Sequence, residues 1–299
     1  MRIGLFFGDL PLDRMIEEAR TAESQGFDSF WLPNIFGTDA LSALTLVGHE
    51  VPRIEFGTAV VPTYPRHPSV MAAQALTVSA ASGGRFTLGI GLSHQIVIEN
   101  MFGYSFDKPV RHMREYLSAL VPLLNGEPAG FTGETLSAHV AVDVPGAKTV
   151  PVVVAALGPK MLKLAAERAA GTVTWMTGPR TLGEHTVPTI TAAADAAGTG
   201  PMRIVSALPV AVTDDATAAR ERAARAFEVY GVLPSYRAML DREGAEGPAD
   251  VAIVGTAAEV RDGIERMRDA GVTDFIAVEF STDEPTATAT RELLREFTS

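Results

Sequence analysis

Cysteine is absent from the 299-residue chain. Without a thiol, the protein cannot form a disulfide, use a thiolate nucleophile or bind a metal through sulfur. Long apolar runs are missing too, because no window approaches the roughly 20 apolar residues that a membrane-spanning helix requires. The opening residues MRIGLFFGDL combine one arginine with a short apolar stretch, which is not the pattern of a secretory signal. These absences predict a soluble, cytoplasmic protein that does not bind membranes.

The chain has fewer basic than acidic residues. The chain has 25 Lys and Arg against 36 Asp and Glu, for a net charge of -11 and a pI near 5.0. An acidic protein repels anionic partners at long range, which excludes a general role in binding nucleic acid or anionic membranes. The hydrophobic content of 46% can fill one large core. We therefore expect a single domain over residues 1–299.

The sequence does contain a repeated strand-and-helix pattern. Ile3–Phe7 is a short apolar run, and Leu12–Ala22 then shows apolar residues at helical spacing. A helix end, a glycine and a new apolar run recur in ESQGFDSFWL from Glu23, ERAAGTVTWM from Glu167 and RDAGVTDFIAV from Arg268. Such units indicate parallel strands joined by crossover helices, since parallel neighbours need a long connection.

Eight apolar runs of this kind can be counted along the chain. They are marked by Ile3, Phe30, Ile54, Phe86, Val152, Val173, Ile204 and Phe275. An open doubly wound sheet would more often show a GxGxxG turn after its first strand, and GLFFGDLP is not that turn. The pattern therefore predicts an α/β fold of the (β/α)8 TIM-barrel class.

Three segments interrupt the rhythm, at about residues 92–107 and 126–150 after the fourth strand and at 231–250 after the seventh. Residues 128–151, with the alternating HVAVDV, predict a hairpin or an extended insertion. Residues 230–250 are rich in glycine, proline and charge, which predicts a mobile insertion.

The active site of such a barrel lies at the carboxyl ends of its strands. The residues that follow the apolar runs are mostly small, apolar or hydrogen-bonding, and His94 is the main side chain among them that can titrate. This composition disfavours a metal site or a pair of catalytic carboxylates. It favours a mouth that holds an organic cofactor.

An anion site is predicted where the strand at Val152 meets its helix. The strand runs through Gly158 and Pro159 into a helix over residues 160–170. The first turn of a helix has unpaired N–H groups and the positive end of the peptide dipole, and glycine allows a close approach to its backbone. Taken alone, the same residues also fit an ordinary strand-to-helix turn.

Four motifs together resemble one enzyme superfamily. They are FGTAVVPTYPRHP from Phe56, GGRFTLGIGLS from Gly83, ALGPKMLKLAAERAAG from Ala156 and VGTAAEVRDGIERMRDAGVTDF from Val254. In this order they resemble the luciferase-like monooxygenase superfamily of flavin and deazaflavin oxidoreductases. The lack of large insertions and the GTxV and GPKM forms are most similar to the branch that uses coenzyme F420.

The resemblance implies a TIM barrel with the coenzyme's ring over the mouth and its phosphate at the Gly158 turn. It also implies a non-prolyl cis peptide between Ala59 and Val60 that backs the ring, a small-molecule substrate and, by analogy, a homodimer. The cofactor-binding residues it implies are Asn34, Ala59, Val60, Ser93, His94, Ala156, Leu157, Gly158, Pro159, Met161, Met176, Thr177 and Gly178.

The chain departs from the resemblance at its acid residues. Many deazaflavin relatives have an Asp-His pair after the second strand and a glutamate after the fourth. Here those positions hold Asn34, Ile35 and His94. Asn34 can still bond the polar edge of the ring, and His94, with an ordinary pKa near 6.5, is the candidate catalytic proton donor. A hydrogen-bonded structural histidine is the alternative for His94.

The other histidines are expected away from the chemistry. His67 matches a structural position that starts the third helix. The four that we expect on the surface or in packing positions remote from the mouth are His49, His112, His139 and His185.

The function predicted from the sequence is an F420-dependent oxidoreductase. It would move a hydride between carbon five of the deazaflavin and a small organic substrate, with reduction of an activated C=C or C=N bond as the favoured direction. One alternative is an FMN-dependent monooxygenase of the same superfamily. Another is a non-catalytic deazaflavin-binding protein, because the usual acid pair is absent.

Overall fold

A closed barrel of parallel strands forms the centre of the molecule, seen in a computed structural model that describes residues 1–8, 10–281 and 283–298. Around the barrel the strand order is β1, β2, β3, β5, β8, β9, β10 and β12, which pairs again with β1. The predicted (β/α)8 barrel is thereby confirmed. The strands are β1 Arg2–Phe6, β2 Ser29–Leu32, β3 Glu55–Thr58, β4 Val61–Pro62, β5 Phe86–Gly91, β6 Ala129–Thr132, β7 Ser137–Val140, β8 Val152–Ala155, β9 Gly171–Trp175, β10 Arg203–Val212, β11 Ile253–Gly255 and β12 Asp274–Glu279.

Helices surround the barrel, and those of ten or more residues each contain buried residues. In the first helix, Met15, Ala19 and Ala22 are buried at the spacing of one helix face. Among the described residues, no helix combines the length and apolarity needed to span a bilayer. The helices are α1 Leu12–Ser24, α2 Ala40–Glu50, α3 Pro68–Ala81, α4 Pro109–Leu124, α5 Pro159–Arg168, α6 Pro179–Thr181, α7 Val187–Ala197, α8 Ala216–Ala226, α9 Glu228–Val232, α10 Pro234–Glu243, α11 Ala257–Asp269 and α12 Glu284–Arg295, with π-helical turns at Val97–Met101 and Leu182–Thr186 and a 3-10 turn at Pro248–Val251.

The third barrel strand is interrupted at the peptide between Ala59 and Val60. β3 ends at Thr58 and β4 begins at Val61, and the peptide bond between Ala59 and Val60 is cis, which confirms the expectation from the resemblance. The Thr58 hydroxyl donates to the Gly89 carbonyl at 2.8 Å and accepts from the Gly89 N–H at 2.9 Å. These two bonds hold the interrupted strand against β5.

The barrel interior is filled by one large side chain and several smaller ones. Trp31 lies fully buried there, and its indole N–H donates to the Ser29 hydroxyl at 2.8 Å. A Cβ on Gly57 would overlap the Trp31 ring, so only glycine fits beside it in β3. The buried residues of this inner cluster are Trp31, Val153, Val173, Val205, Ala207 and Ile276.

The insertion after α4 is an antiparallel hairpin of β6 and β7, one of the two forms predicted for it. Ala129 lies opposite Val140 and Thr132 opposite Ser137. The second strand stops at Val140, before the alternating HVAVDV segment ends.

The insertion after β10, which its composition predicts to be mobile, contains the helices α9 and α10, and its mobility stays a prediction. Pro234 is the first residue of α10 and Gly244 caps its end with a left-handed backbone at φ 78°. Proline and glycine therefore mark the helix boundaries here instead of breaking a helix. The short strand β11, which pairs with the end of β10 at Val212, was also not predicted.

Candidate functional site

The topology brings the predicted site residues to one end of the barrel. Because all barrel strands are parallel, the segments that follow them lie at the same edge. Val60, Gly91 and Ala155 meet there, since a Cβ on Gly91 would come within 2.7 Å of Val60 and 3.2 Å of Ala155. The predicted residues follow β2 (Asn34), β3 (Ala59, Val60), β5 (Ser93, His94), β8 (Ala156, Leu157, Gly158, Pro159, Met161) and β9 (Met176, Thr177, Gly178).

Two of these strand ends have an unusual backbone. Ser93 has φ 61° and Met176 has φ 50°, both in the left-handed region. Residues other than glycine and asparagine seldom adopt that backbone conformation, and those that do cluster at functional sites.

The corner between β8 and α5 is open to an anion. In the part of the chain that the structure describes, the backbone N–H groups of Leu157 and Gly158 have no hydrogen-bond acceptor. A Cβ on Gly158 would meet nothing within 4 Å. Pro159 begins the helix, and Lys160 adds a positive charge to its first turn. The predicted features of a phosphate site are thus present together.

His185 contacts this corner, although the sequence predicted it to be remote from the mouth. Its Nε2 lies 2.9 Å from the Leu157 carbonyl oxygen, so the ring donates from that nitrogen. In a trans peptide the carbonyl and the next N–H point in opposite directions. By fixing the Leu157 carbonyl, His185 therefore holds the Gly158 N–H on the side of the peptide that faces away from the imidazole.

The next strand end carries the same Gly-Pro sequence but is closed. The Glu243 carboxylate accepts from the N–H groups of Arg180 at 3.2 Å and Thr181 at 2.7 Å. A Cβ on Gly178 would overlap Glu243. At this corner the chain supplies its own anion, so Gly178 is less available for a coenzyme than Gly158. Met176 and Thr177 are also fully buried beside it.

Asn34 is oriented by a neighbouring ion pair. Its side-chain oxygen accepts from the Ala40 N–H at 3.1 Å and from Arg66 at 3.3 Å, which leaves the amide N–H groups as donors. Arg66 also pairs with Asp39. Burial alone would raise the pKa of Asp39, but hydrogen bonds from Ser42 and the charge of Arg66 outweigh it and lower the pKa. The sequence did not identify this role of Arg66.

His94 lies at the barrel mouth, and its side chain forms no hydrogen bond with the described residues, which disfavours the alternative of a hydrogen-bonded structural histidine. The ring packs against Tyr236, with centroids 5.8 Å apart. Burial disfavours the charged imidazolium and lowers the pKa of His94 below its ordinary value.

Aromatic residues of the helical insertion form a wall beside His94. The Tyr236 ring lies 4.9 Å from Tyr230, which in turn lies 5.9 Å from Trp175 at the end of β9. Trp175 stacks on Phe6 at 6.4 Å. The sequence analysis missed this wall because it assigned no helices to the insertion.

His112 also lies nearer to the mouth than predicted. Its Nε2 is 3.0 Å from the hydroxyl of Thr63, which follows β4, and its ring stacks on Tyr64 with centroids 3.9 Å apart. Burial lowers the pKa of His112 to about 4, although Glu115 opposes the shift. His112 is therefore neutral near pH 7 and packs between Tyr64 and Tyr116, which fits the predicted packing role but not the predicted distance from the mouth.

Comparisons with known proteins agree with this architecture. The model of a family described as luciferase-like monooxygenase matches residues 7–274. A 5,10-methylenetetrahydromethanopterin reductase of Methanolobus tindarius is 30% identical over 83% of this chain and 76% of its own. A putative coenzyme F420-dependent oxidoreductase of Mycobacterium tuberculosis is 31% identical over 62% of this chain and 58% of its own.

A solved structure shares the fold over nearly the whole chain. The coenzyme F420-dependent tetrahydromethanopterin reductase of Methanopyrus kandleri superposes with a TM-score of 0.82 and covers 99% of this chain and 97% of its own. The two sequences are 22% identical, so this likeness concerns the fold.

Proposed function

Because the chain belongs to the luciferase-like monooxygenase family, we propose that it is a coenzyme F420-dependent oxidoreductase that reduces an activated C=C or C=N bond. The observation that carries the proposal is the open corner at Gly158, which offers unpaired N–H groups to a coenzyme phosphate. The preference for F420 over FMN is supported by the 31% identical relative that is named for F420.

The residues present fit such a coenzyme. Leu157 and Gly158 would hold the phosphate through their backbone N–H groups, and the cis peptide of Ala59 and Val60 would back the ring. Asn34 would donate its amide hydrogens to an acceptor on the polar edge of the ring, since its oxygen is already bonded.

The reduced deazaflavin supplies a hydride when it is bound. His94 would supply the proton, so that one carbon of the substrate double bond gains the hydride and the other atom gains the proton. The substrate double bond would thereby be reduced, and His94 would regain its proton from solvent through its exposed side. The aromatic wall of Tyr236, Tyr230 and Trp175 would keep water from the reacting atoms.

A titration of the apo protein with oxidised F420 and, separately, with FMN tests the coenzyme. We expect F420 fluorescence to saturate with a dissociation constant on the order of micromolar, and FMN to bind far more weakly. Binding of FMN alone, with oxygen consumption on addition of reduced FMN, would instead favour the monooxygenase alternative.

His94→Ala should lower the turnover of the F420-loaded enzyme by about 100-fold, since general acid catalysis contributes on this order. Because burial lowers the pKa of His94, its protonated form is lost at a lower pH than that of a free imidazole. We expect kcat/KM of the wild type to fall through a value below 6.5 and this limb to vanish in the variant.

The matched control is His139→Ala, which removes an exposed histidine of the hairpin and should leave the rate and its pH profile unchanged. An unaltered rate in His94→Ala would exclude His94 from the reaction. F420 binding without turnover on any acceptor would support the non-catalytic alternative.

A further inference from the structure

Large apolar side chains are exposed on the two loops that follow β2 and β5. Phe36 is 64% exposed and Met101 is 63% exposed. Soluble proteins rarely leave neighbouring apolar residues of this size in water unless they bind a ligand or a partner. The residues of this apolar rim are Ile35, Phe36, Ile96, Met101, Phe102 and Tyr104.

The apolar rim continues the proposed site outwards. The Phe36 and Phe102 rings, one from each loop, lie 6.3 Å apart, so the two loops meet. Ile35 directly follows Asn34, and Ile96 is close in sequence to His94. Residues 97–101 form a π-helical turn, a feature that is frequent at functional sites. The apolar rim therefore lies on the same two loops that carry Asn34 and His94.

The charges of the same loops exclude an anionic substrate. Residues 33–39 and 92–108 contain a single basic residue, Lys108, whose ammonium lies 3.9 Å from Glu134. They also contain Asp39, Glu99 and Asp107. Asp39 already pairs with Arg66 from the neighbouring loop. A phosphate or carboxylate on the part of the substrate that contacts these loops would meet their acidic groups.

We propose that the substrate is an uncharged, largely apolar molecule whose alkyl or ring portion packs on the apolar rim while its activated double bond reaches His94. The inference rests on the proposed function and names its substrate class. The gain in binding comes from removing apolar surface of both partners from water, so affinity grows with the apolar area of the substrate.

Displacement of Nile red, a neutral apolar dye, from the apo protein tests the inference. We expect saturable dye binding that linear α,β-unsaturated methyl ketones reverse, with a dissociation constant that falls about fourfold per added methylene. Phe36→Ser and Phe102→Ser should flatten this dependence on chain length. Leu46→Ser, which removes a 42% exposed leucine from α2, should preserve it.

Several outcomes would overturn the inference. The wild type could show no dependence on chain length, or Phe36→Ser could retain all of it. Light scattering could show that Phe36→Ser converts a dimer into a monomer, in which case a second copy of the chain covers the rim. The dye and ketone measurements use the apo protein, so their failure leaves the F420 titration untouched, and the converse also holds.

Discussion

Gly158→Asp should weaken F420 binding about 1000-fold without lowering stability. The new carboxylate would accept hydrogen bonds at the start of α5, as Glu243 does at the start of α6, and would repel the coenzyme phosphate. Loss of two charge-assisted bonds at about 2 kcal/mol each corresponds to this factor. Aspartate is also a good helix N-cap, so the free energy of unfolding should stay level or rise by a few tenths of a kcal/mol. The fluorescence titration and urea denaturation measure the two effects.

Two controls separate charge from position. Gly158→Ala adds a Cβ without charge and should weaken binding much less. Gly130→Asp adds the same charge on the hairpin, where a Cβ meets nothing within 4 Å, and should leave binding unchanged. If Gly158→Asp bound F420 as the wild type does, the phosphate could not lie at this corner.

His185 gives a second way to disturb the same peptide. His185→Phe removes the donor to the Leu157 carbonyl and frees the peptide to turn, so the F420 dissociation constant should rise by about tenfold, the cost of one lost hydrogen bond. His185→Gln keeps a donor and should retain most of the affinity. Equal losses in both variants would show that the hydrogen bond does not orient the Gly158 N–H.

Arg203→Met should lower the free energy of unfolding by about 3 to 5 kcal/mol, the usual cost of leaving buried carboxylates without a partner. Arg203 lies at the amino-terminal end of the barrel, where its guanidinium contacts Asp274 at 2.7 Å and Glu55 at 2.8 Å. The Asp274 side chain is only 3% exposed. In a protein of marginal stability this is a large fraction of the total, and urea denaturation measures it.

The pH dependence provides an independent check. Burial would raise the pKa of Asp274, but hydrogen bonding and the charge of Arg203 lower it below its unfolded value. A carboxyl with a lowered folded pKa stabilises the protein above its unfolded pKa near 3.9 and loses this effect as pH falls. Wild-type stability should therefore decline below about pH 4, and this part of the decline should be smaller in Asp274→Asn.

The matched control is Arg20→Met, which removes the exposed pair of Arg20 and Glu50. Its cost should stay below about 1 kcal/mol, because exposed ion pairs contribute little. A similar small cost for Arg203→Met would mean that Arg2, which also contacts Asp274, is sufficient at this end of the barrel.

Local chemistry explains why much of the barrel could be predicted. Buried parallel strands read as short apolar runs, and their crossover helices show apolar residues at helical spacing, so the βα units are visible in the sequence alone. The Gly158-Pro159 corner belongs to the same group, because the backbone of a helix start presents its N–H groups whatever lies around it. The cis peptide at Ala59 came only from the resemblance.

Contacts between distant segments explain what could not be predicted. Glu243 fills the second Gly-Pro corner from a helix some 60 residues away, and no local feature distinguishes Gly178 from Gly158. His112 and His185 were placed away from the mouth because their helices could not be positioned from spacing alone. The helices within residues 230–250 could not be predicted, since a proline or glycine marks either a helix boundary or a break.

The sequence by itself determined the repeating βα units, the end of the barrel at which the proposed site lies and the backbone corner suited to a phosphate, because each depends on residues close together in the chain. Only the tertiary structure decided which of two equivalent corners is open, how His185 and Arg66 orient their neighbours, and which aromatic rings stand beside His94. Those features depend on contacts between side chains from different segments around the barrel mouth. Such contacts cannot be predicted from the separation of the residues along the chain.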